Sequence, residues 1–128
     1  MVDELVAAAR KARRRAIAPY SDFKVGAALA TRDGALHTGC NIENATLGLT
    51  VCAERVALWK ALSEGAKRFT AVVVVTGASR PTPPCGACRQ LLWEYCGNVP
   101  VHLVSTRGRR KSFHLSELLP YAFDKKDL

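Results

Sequence analysis

Hydrophobic and polar positions follow two different periods along this chain, and the switches between them outline its elements. Leu5, Val6, Ala9, Ala12, Ala16 and Ile17 recur at helical spacing, so residues 3–17 read as an amphipathic helix stopped ahead of Pro19. Residues 25–31 and 35–40 flank Arg32-Asp33-Gly34, an Asp-Gly turn signal that predicts a hairpin. Within Val25-Gly26-Ala27-Ala28-Leu29-Ala30 apolar residues occupy both parities, the pattern of a strand covered on both faces. Residues 41–50 show no period and read as a loop. Residues 52–64 read as a helix, with Thr50 as its cap and Gly65 at its end. The β-branched run Ala71-Val72-Val73-Val74-Val75 predicts a strand buried on both faces, and residues 77–84 form a breaker-rich loop. A helix over 85–95 closes at Gly97-Asn98. Two short strands, 101–104 and 111–114, surround Arg107-Gly108, and a helical turn at 116–119 precedes a polar tail. This order implies an α/β fold with a mixed sheet sandwiched between helical layers.

Size and composition narrow the picture. A chain of 128 residues without repeats or an internal linker reads as one domain spanning 1–128. No apolar run approaches the roughly 20 residues of a membrane helix. Met1-Val2-Asp3-Glu4 lacks the basic-then-apolar order of a secretory signal, so a soluble, cytoplasmic protein without a membrane partner is expected. The five cysteines, an odd number, point to thiols in a reducing compartment rather than to a disulfide framework. Of these, Cys40 and Cys96 read as small buried core residues.

The formal charge of +8 raises the question of a nucleic-acid partner, because Arg10-Lys11-Ala12-Arg13-Arg14-Arg15 supplies much of it. Asp3 and Glu4 open the same segment, however. Acidic residues first and basic residues last complement a helix macrodipole on a solvated face, so nucleic acid is not the expected partner.

Candidate chemistry lies in Cys52-Ala53-Glu54 and Pro84-Cys85-Gly86-Ala87-Cys88. Cys52, Cys85 and Cys88 offer three soft ligands for Zn²⁺, and a tetrahedral zinc with three protein ligands keeps one position for water. Cys-x-Glu followed by Pro-Cys-x-x-Cys matches the signature of zinc deaminases, in which the glutamate moves protons and does not bind metal. Both clusters fall where a loop enters a helix, where free N–H groups and the helix dipole favour thiolate over thiol. Glu54 is therefore the candidate catalytic residue, as proton acceptor and donor. Three thiolates leave zinc with a net negative charge, so a nearby cation is needed. Arg55, directly after Glu54, is expected to donate to a ligand sulfur, and Arg89 is the other basic neighbour. The other readings are a closed Cys₃His site using His37, His102 or His114, and a redox Cys-x-x-Cys.

The chain resembles cytidine deaminases of the small, all-cysteine, homotetrameric type over about residues 19–123. The resemblance is carried by Pro19-Tyr20-Ser21-Asp22-Phe23, Val25-Gly26-Ala27-Ala28, Gly39-Cys40-Asn41-Ile42-Glu43-Asn44-Ala45, Gly48 to Arg55, Pro84 to Gln90 and Leu118 to Phe123. It implies a three-layer α/β/α fold with a five-stranded mixed sheet, and hydrolysis of cytidine or deoxycytidine to the uracil nucleoside and ammonia, as in pyrimidine salvage. It also implies that Asn41 and Glu43 hydrogen-bond the ribose 3′-hydroxyl, that the Ala53 backbone meets the pyrimidine carbonyl, and that Phe23 lies against the base. Ala45 belongs to the same sugar-side block. Phe123 is expected to reach a neighbouring subunit's site in a homotetramer with composite pockets.

In one respect the chain departs from the family. Leu47 stands where the family commonly has a tyrosine that approaches the sugar's 5′-hydroxyl from an adjacent subunit. The departure keeps open a modified cytosine nucleoside or a blasticidin-like heterocycle as substrate. A nucleic-acid deaminase and a noncatalytic zinc-binding or interaction domain are the remaining alternatives.

Overall fold

The computed structural model describes residues 1–128. Five strands, β1 (Val25–Thr31), β2 (Leu36–Cys40), β3 (Phe69–Thr76), β4 (Pro100–Ser105) and β5 (Arg110–His114), form one mixed sheet in the order β2-β1-β3-β4-β5. Only β3 and β4 run parallel; the other three pairs are antiparallel. A parallel pair needs a crossover, which α3 (Gly86–Cys96) supplies. No helix is long and apolar enough to cross a membrane.

Both central strands carry apolar side chains on both faces, because helices cover both. On one face α1 (Val2–Arg13) sets Leu5, Val6 and Ala9 against Ala28, Ala30, Val73 and Val75. On the other, α2 (Ala53–Ser63) and α3 set Ala53, Ala57, Leu58, Ala61 and Leu92 against Ala27, Leu29, Val72, Val74 and Val101. The result is the expected α/β/α sandwich. Burying a side chain such as Leu58 contributes about 1.5–3 kcal/mol, which is how unremarkable helices are held in place. α4 (Leu115–Leu118) closes the second core through buried Leu115.

The structure departs from the sequence pattern at several boundaries. α1 ends at Arg13 rather than near residue 17. Ile17 N donates no helical bond; it donates instead to Asn41 O at 3.0 Å, and Glu43 N donates to Ile17 O at 2.8 Å. Ile17 thus bridges Ile42, in extended backbone suited to the approach to Pro19. The periodless stretch 41–50 is likewise laced. Ile42 also bridges Val51, and Leu47–Leu49 makes a single 3₁₀ turn. Thr50 is not a helix cap: Cys52 holds that position, and Thr50 Oγ1 instead accepts from Asn44 N at 3.4 Å. In the polar tail Lys125–Asp127 forms a 3₁₀ turn capped by Asp124. The acidic start and basic end of α1 are as expected, although Arg13 is not simply solvated, since its Nε donates to Lys24 O at 2.9 Å.

Candidate active site

Topology brings the two cysteine clusters together. β2 ends at Cys40 beside Gly26, and β3 ends at Thr76 beside Val25, so both strands finish at the edge where β1 begins. The connections from β2 to α2 and from β3 to α3 leave from that same edge. Hence the two helices start side by side, with Cys52 as the N-cap of α2 and Cys85 as the N-cap of α3. Each N-cap residue is extended (φ −74° and −65°), and no side chain caps either first turn. Cys88 follows on the first turn of α3 and is fully buried.

The three sulfurs lie within 4.8 Å of one another, and Cys52 Sγ is 3.8 Å from Cys85 Sγ. A tetrahedral zinc with Zn–S bonds of about 2.3 Å separates its sulfurs by about 3.8 Å, so this donor set fits the ion. No histidine or carboxylate joins the group. His37 faces Glu64 at 3.5 Å, His102 Nδ1 pairs with Ser112 Oγ at 2.7 Å, and His114 is the N-cap of α4. A closed Cys₃His site is thereby excluded. All five cysteines are free. Cys40 and Cys96 are half-buried rather than core residues: Cys40 lines a groove between α1 and α2, while Cys96 packs beside the second core, where burial pushes its thiol up to about 12.

Charge around the sulfurs is uneven without a cation. A hydrogen bond from the Cys88 thiol, with help from Arg55 and Cys85, lowers Cys52 to about 5 against the opposing effect of burial. Cys88 moves strongly the other way, held protonated by its bond to Cys52, by burial and by nearby Glu54. Three thiolates in this space therefore call for a divalent cation. Arg55 Nη2 donates to Cys52 Sγ at 3.3 Å. Arg89 touches no sulfur. Its Nε donates to Pro84 O and its Nη1 to Leu118 O, each at 2.7 Å, bracing the approach to Cys85 against the end of α4.

A cavity of about 340 Å³ opens beside Cys52 and Cys85, within the range of small-molecule sites. Its lining includes Phe23, Asn41, Glu43, Ala53 and Glu54. Glu54 is 5% exposed. Burial, reinforced by the charge on Cys52, raises its carboxyl to about 7. Asn41 already clamps two backbone groups: Nδ2 donates to Phe23 O and Oδ1 accepts from Val25 N, both at 2.8 Å. One amide hydrogen and one lone pair remain for a ligand. Glu43 accepts from the N–H groups of Tyr20 and Ser21 at 3.0 and 3.1 Å and from the Ser21 hydroxyl, which holds its carboxylate below the usual range. Asn41 and Glu43 thus shape the wall that carries Phe23.

Three expected contacts lie outside this cavity. Ala45 is exposed, and Leu47, 67% exposed, lines a neighbouring shallow groove with Tyr20, Ser21, Glu43 and Thr50. Phe123 is 55% exposed and lines a separate groove with Trp93, Leu119 and Tyr121, its carbonyl held by Gln90 Nε2 at 2.6 Å. Sequence reasoning missed Thr50, Val51, Thr76, Thr82 and Pro83, which line the cavity. Their neighbourhood to the cysteines was the available signal for Thr50, Val51, Thr82 and Pro83; nothing in the pattern marked Thr76.

Residues 2–103 match the family model described as the cytidine and deoxycytidylate deaminase zinc-binding region. The chain belongs to this deaminase family. It is 48% identical over 128 residues to a cytidine deaminase of Sporosarcina psychrophila, an alignment covering 99% of this chain and 94% of that one. A cytidine deaminase of Halalkalibacterium halodurans is 50% identical over 125 residues, covering 97% and 95%. Among solved structures, the cytidine deaminase from Burkholderia pseudomallei superposes with a TM-score of 0.92 at 46% identity, covering 96% of this chain and 99% of that chain. As a member of a family defined by its zinc-binding region, this deaminase-family chain has zinc as its cofactor, and Cys52, Cys85 and Cys88 form the fitting cluster.

Proposed function

We propose that this chain is a zinc-dependent hydrolase that deaminates cytidine and deoxycytidine as free nucleosides, consuming water and releasing ammonia and the uracil nucleoside. The observation that carries the reading is the buried Glu54 carboxyl, which lines the same cavity as Cys52 and Cys85. The relatives at 48% and 50% identity carry the same activity in their names. Bound by Cys52, Cys85 and Cys88, zinc supplies a nucleophilic water at neutral pH. Glu54 takes a proton from the attacking water and delivers it to ring N3, then takes the second proton from the hydroxyl now on C4 and hands it to the amine, which departs as ammonia while the carbonyl forms. Burial raises the Glu54 carboxyl above the usual carboxylate range, which makes it a better proton acceptor. Phe23 packs against the base, and the Ala53 backbone meets the pyrimidine carbonyl. Asn41 and Glu43 use their remaining capacity on the sugar.

The reading extends to a single catalytic domain over residues 1–128, assembled as a homotetramer and working in cytoplasmic pyrimidine salvage. Exposed Leu47 and Phe123, each outside its own cavity, suit contributions to a neighbour's pocket. The acidic start and basic end of α1 suit its helix dipole, so the reading takes free nucleosides rather than polynucleotides as substrates.

The test is ammonia release from cytidine, deoxycytidine, single-stranded DNA and tRNA by zinc-loaded protein, with subunit number from light scattering. Glu54→Gln should retain zinc and lose about 10²–10⁴ in turnover. Full activity of that variant, or activity on polynucleotides only, would overturn the proposal.

A further inference from the structure

Residues 77–84 connect β3 to Cys85 and include Pro81, Pro83 and Pro84. No backbone–backbone hydrogen bond involves any of these eight residues. Side chains hold the segment instead. At its start, Ala78 N donates to Thr76 Oγ1 at 3.4 Å, Thr76 Oγ1 donates to Thr82 Oγ1 at 3.1 Å, and Thr82 Oγ1 donates to Arg80 O at 3.3 Å. At its far end, Arg89 Nε donates to Pro84 O at 2.7 Å.

Thr76 is 1% exposed at the last position of β3, and it lines the cavity together with Thr82 and Pro83. Both hydroxyl protons are committed, one to the other threonine and one to Arg80 O. The pair therefore offers a ligand no free donor. Its chemistry is directed inward, at the segment itself. A buried hydroxyl that loses its partner is costly, so buried Thr76 holds half-buried Thr82 in place.

We propose that the Thr76–Thr82 hydroxyl pair is a positioning clasp: it fixes residues 77–84 as one wall of the nucleoside cavity and thereby sets how tightly substrate is held. The inference rests on the deaminase reading for its substrate. Segments held by few bonds open locally, and an open wall lowers affinity in both ground and transition states.

The experiment uses zinc-loaded full-length protein. Thr76→Val and Thr82→Val preserve shape and remove the hydroxyl; Thr76→Ser and Thr82→Ser restore it. Hydrogen exchange at the Ala78 amide, the one amide of the segment that is hydrogen-bonded, measured without substrate, should quicken about fivefold in Thr82→Val, where its acceptor Thr76 Oγ1 remains. KM for cytidine should rise by about the same factor while kcat stays within about twofold. The serine variants should behave as the parent. The double valine variant should lose less than the sum of the two single ones, because both break the Thr76–Thr82 bond while each also removes one bond of its own. Unchanged exchange, a fall in kcat at constant KM, failure of serine to rescue, or additive losses would each overturn the clasp. Should Thr76→Val not fold, Thr82→Val at its half-buried position carries the same comparisons. If the parent releases no ammonia from cytidine, the deaminase reading falls, while the exchange comparison still decides whether the hydroxyls hold the segment.

Discussion

Arg55 Nη2 stands 3.3 Å from Cys52 Sγ, three residues back on the same helix start, while Arg55 Nε is buried without a partner. The guanidinium also lies 6.0 Å from the centre of the Trp59 ring. A cation in this position offsets the excess charge of three thiolates on a divalent metal. Arg55→Ala should weaken zinc binding about 10–100-fold, read by competition with a chromogenic chelator. Arg89→Ala should instead lower the melting temperature and leave zinc affinity nearly unchanged, because Arg89 bonds only carbonyls. Equal effects on zinc from the two variants would refute the assignment.

Metal removal exposes a second consequence of the same arrangement. In zinc-free protein Cys52 ionises with a pKa of about 5, chiefly through its bond from Cys88, whereas Cys88 is held protonated. Since thiolate is the reactive form, iodoacetamide at pH 6 should alkylate Cys52 and spare Cys88. Labelling of Cys52 should fall as pH drops below about 5. Zinc should protect the site, and peptide mass spectrometry reads all these outcomes. Preferential labelling of Cys88 would contradict the charge distribution.

The elements of this fold were legible in the sequence because each is locally consistent. The valine run of β3, the Asp-Gly turn before β2 and Gly65 at φ +87° after α2 all speak for themselves. The cysteine spacing likewise announced the metal cluster. What the pattern could not convey was long-range bonding. Ile17 looks helical by period, yet its backbone pairs with Ile42. Thr50 looks like a cap, but the helix begins on Cys52. Asn41 and Glu43 were recognisable as site candidates through the family resemblance, whereas their hold on Phe23, Val25, Tyr20 and Ser21 depends on segments 16–23 residues away folding against them. Thr76 gave no signal, because its importance comes from a partner across a loop.

Gly39 lies where α2 crosses β2 at closest approach. A Cβ there would stand 2.7 Å from Ala53 O and meet the Ala57 backbone nitrogen still more closely. Backbone cannot rotate aside, so α2 would have to move, and Ala53 sits at its first turn beside Cys52 and Glu54. Gly39→Ala should cost at least about 1–3 kcal/mol by chemical denaturation. It should also lower zinc affinity, although Gly39 touches no ligand. Gly48→Ala has open space and a permissive backbone; it should leave both quantities nearly unchanged. Wild-type stability in Gly39→Ala would show that α2 tolerates displacement.

Leu47 offers the substrate no hydrogen-bonding group. In the proposed assembly its 3₁₀ turn reaches the sugar's 5′ end in an adjacent subunit, where a leucine makes that end apolar. An apolar wall discriminates weakly for or against a hydroxyl, while a site built around a polar group rejects a substrate lacking its partner. Cytidine and 5′-deoxycytidine should therefore have kcat/KM values within about threefold of each other. Leu47→Tyr should favour cytidine by about tenfold, one hydrogen bond's worth of selectivity. Mixing subunits sharpens the test. Tetramers combining subunits that carry both Glu54→Gln and Leu47→Tyr with parent subunits should show the new preference at the parent sites only if residue 47 acts across the interface. A hundredfold loss on the 5′-deoxy analogue in the parent protein would mean that another group already recognises the hydroxyl.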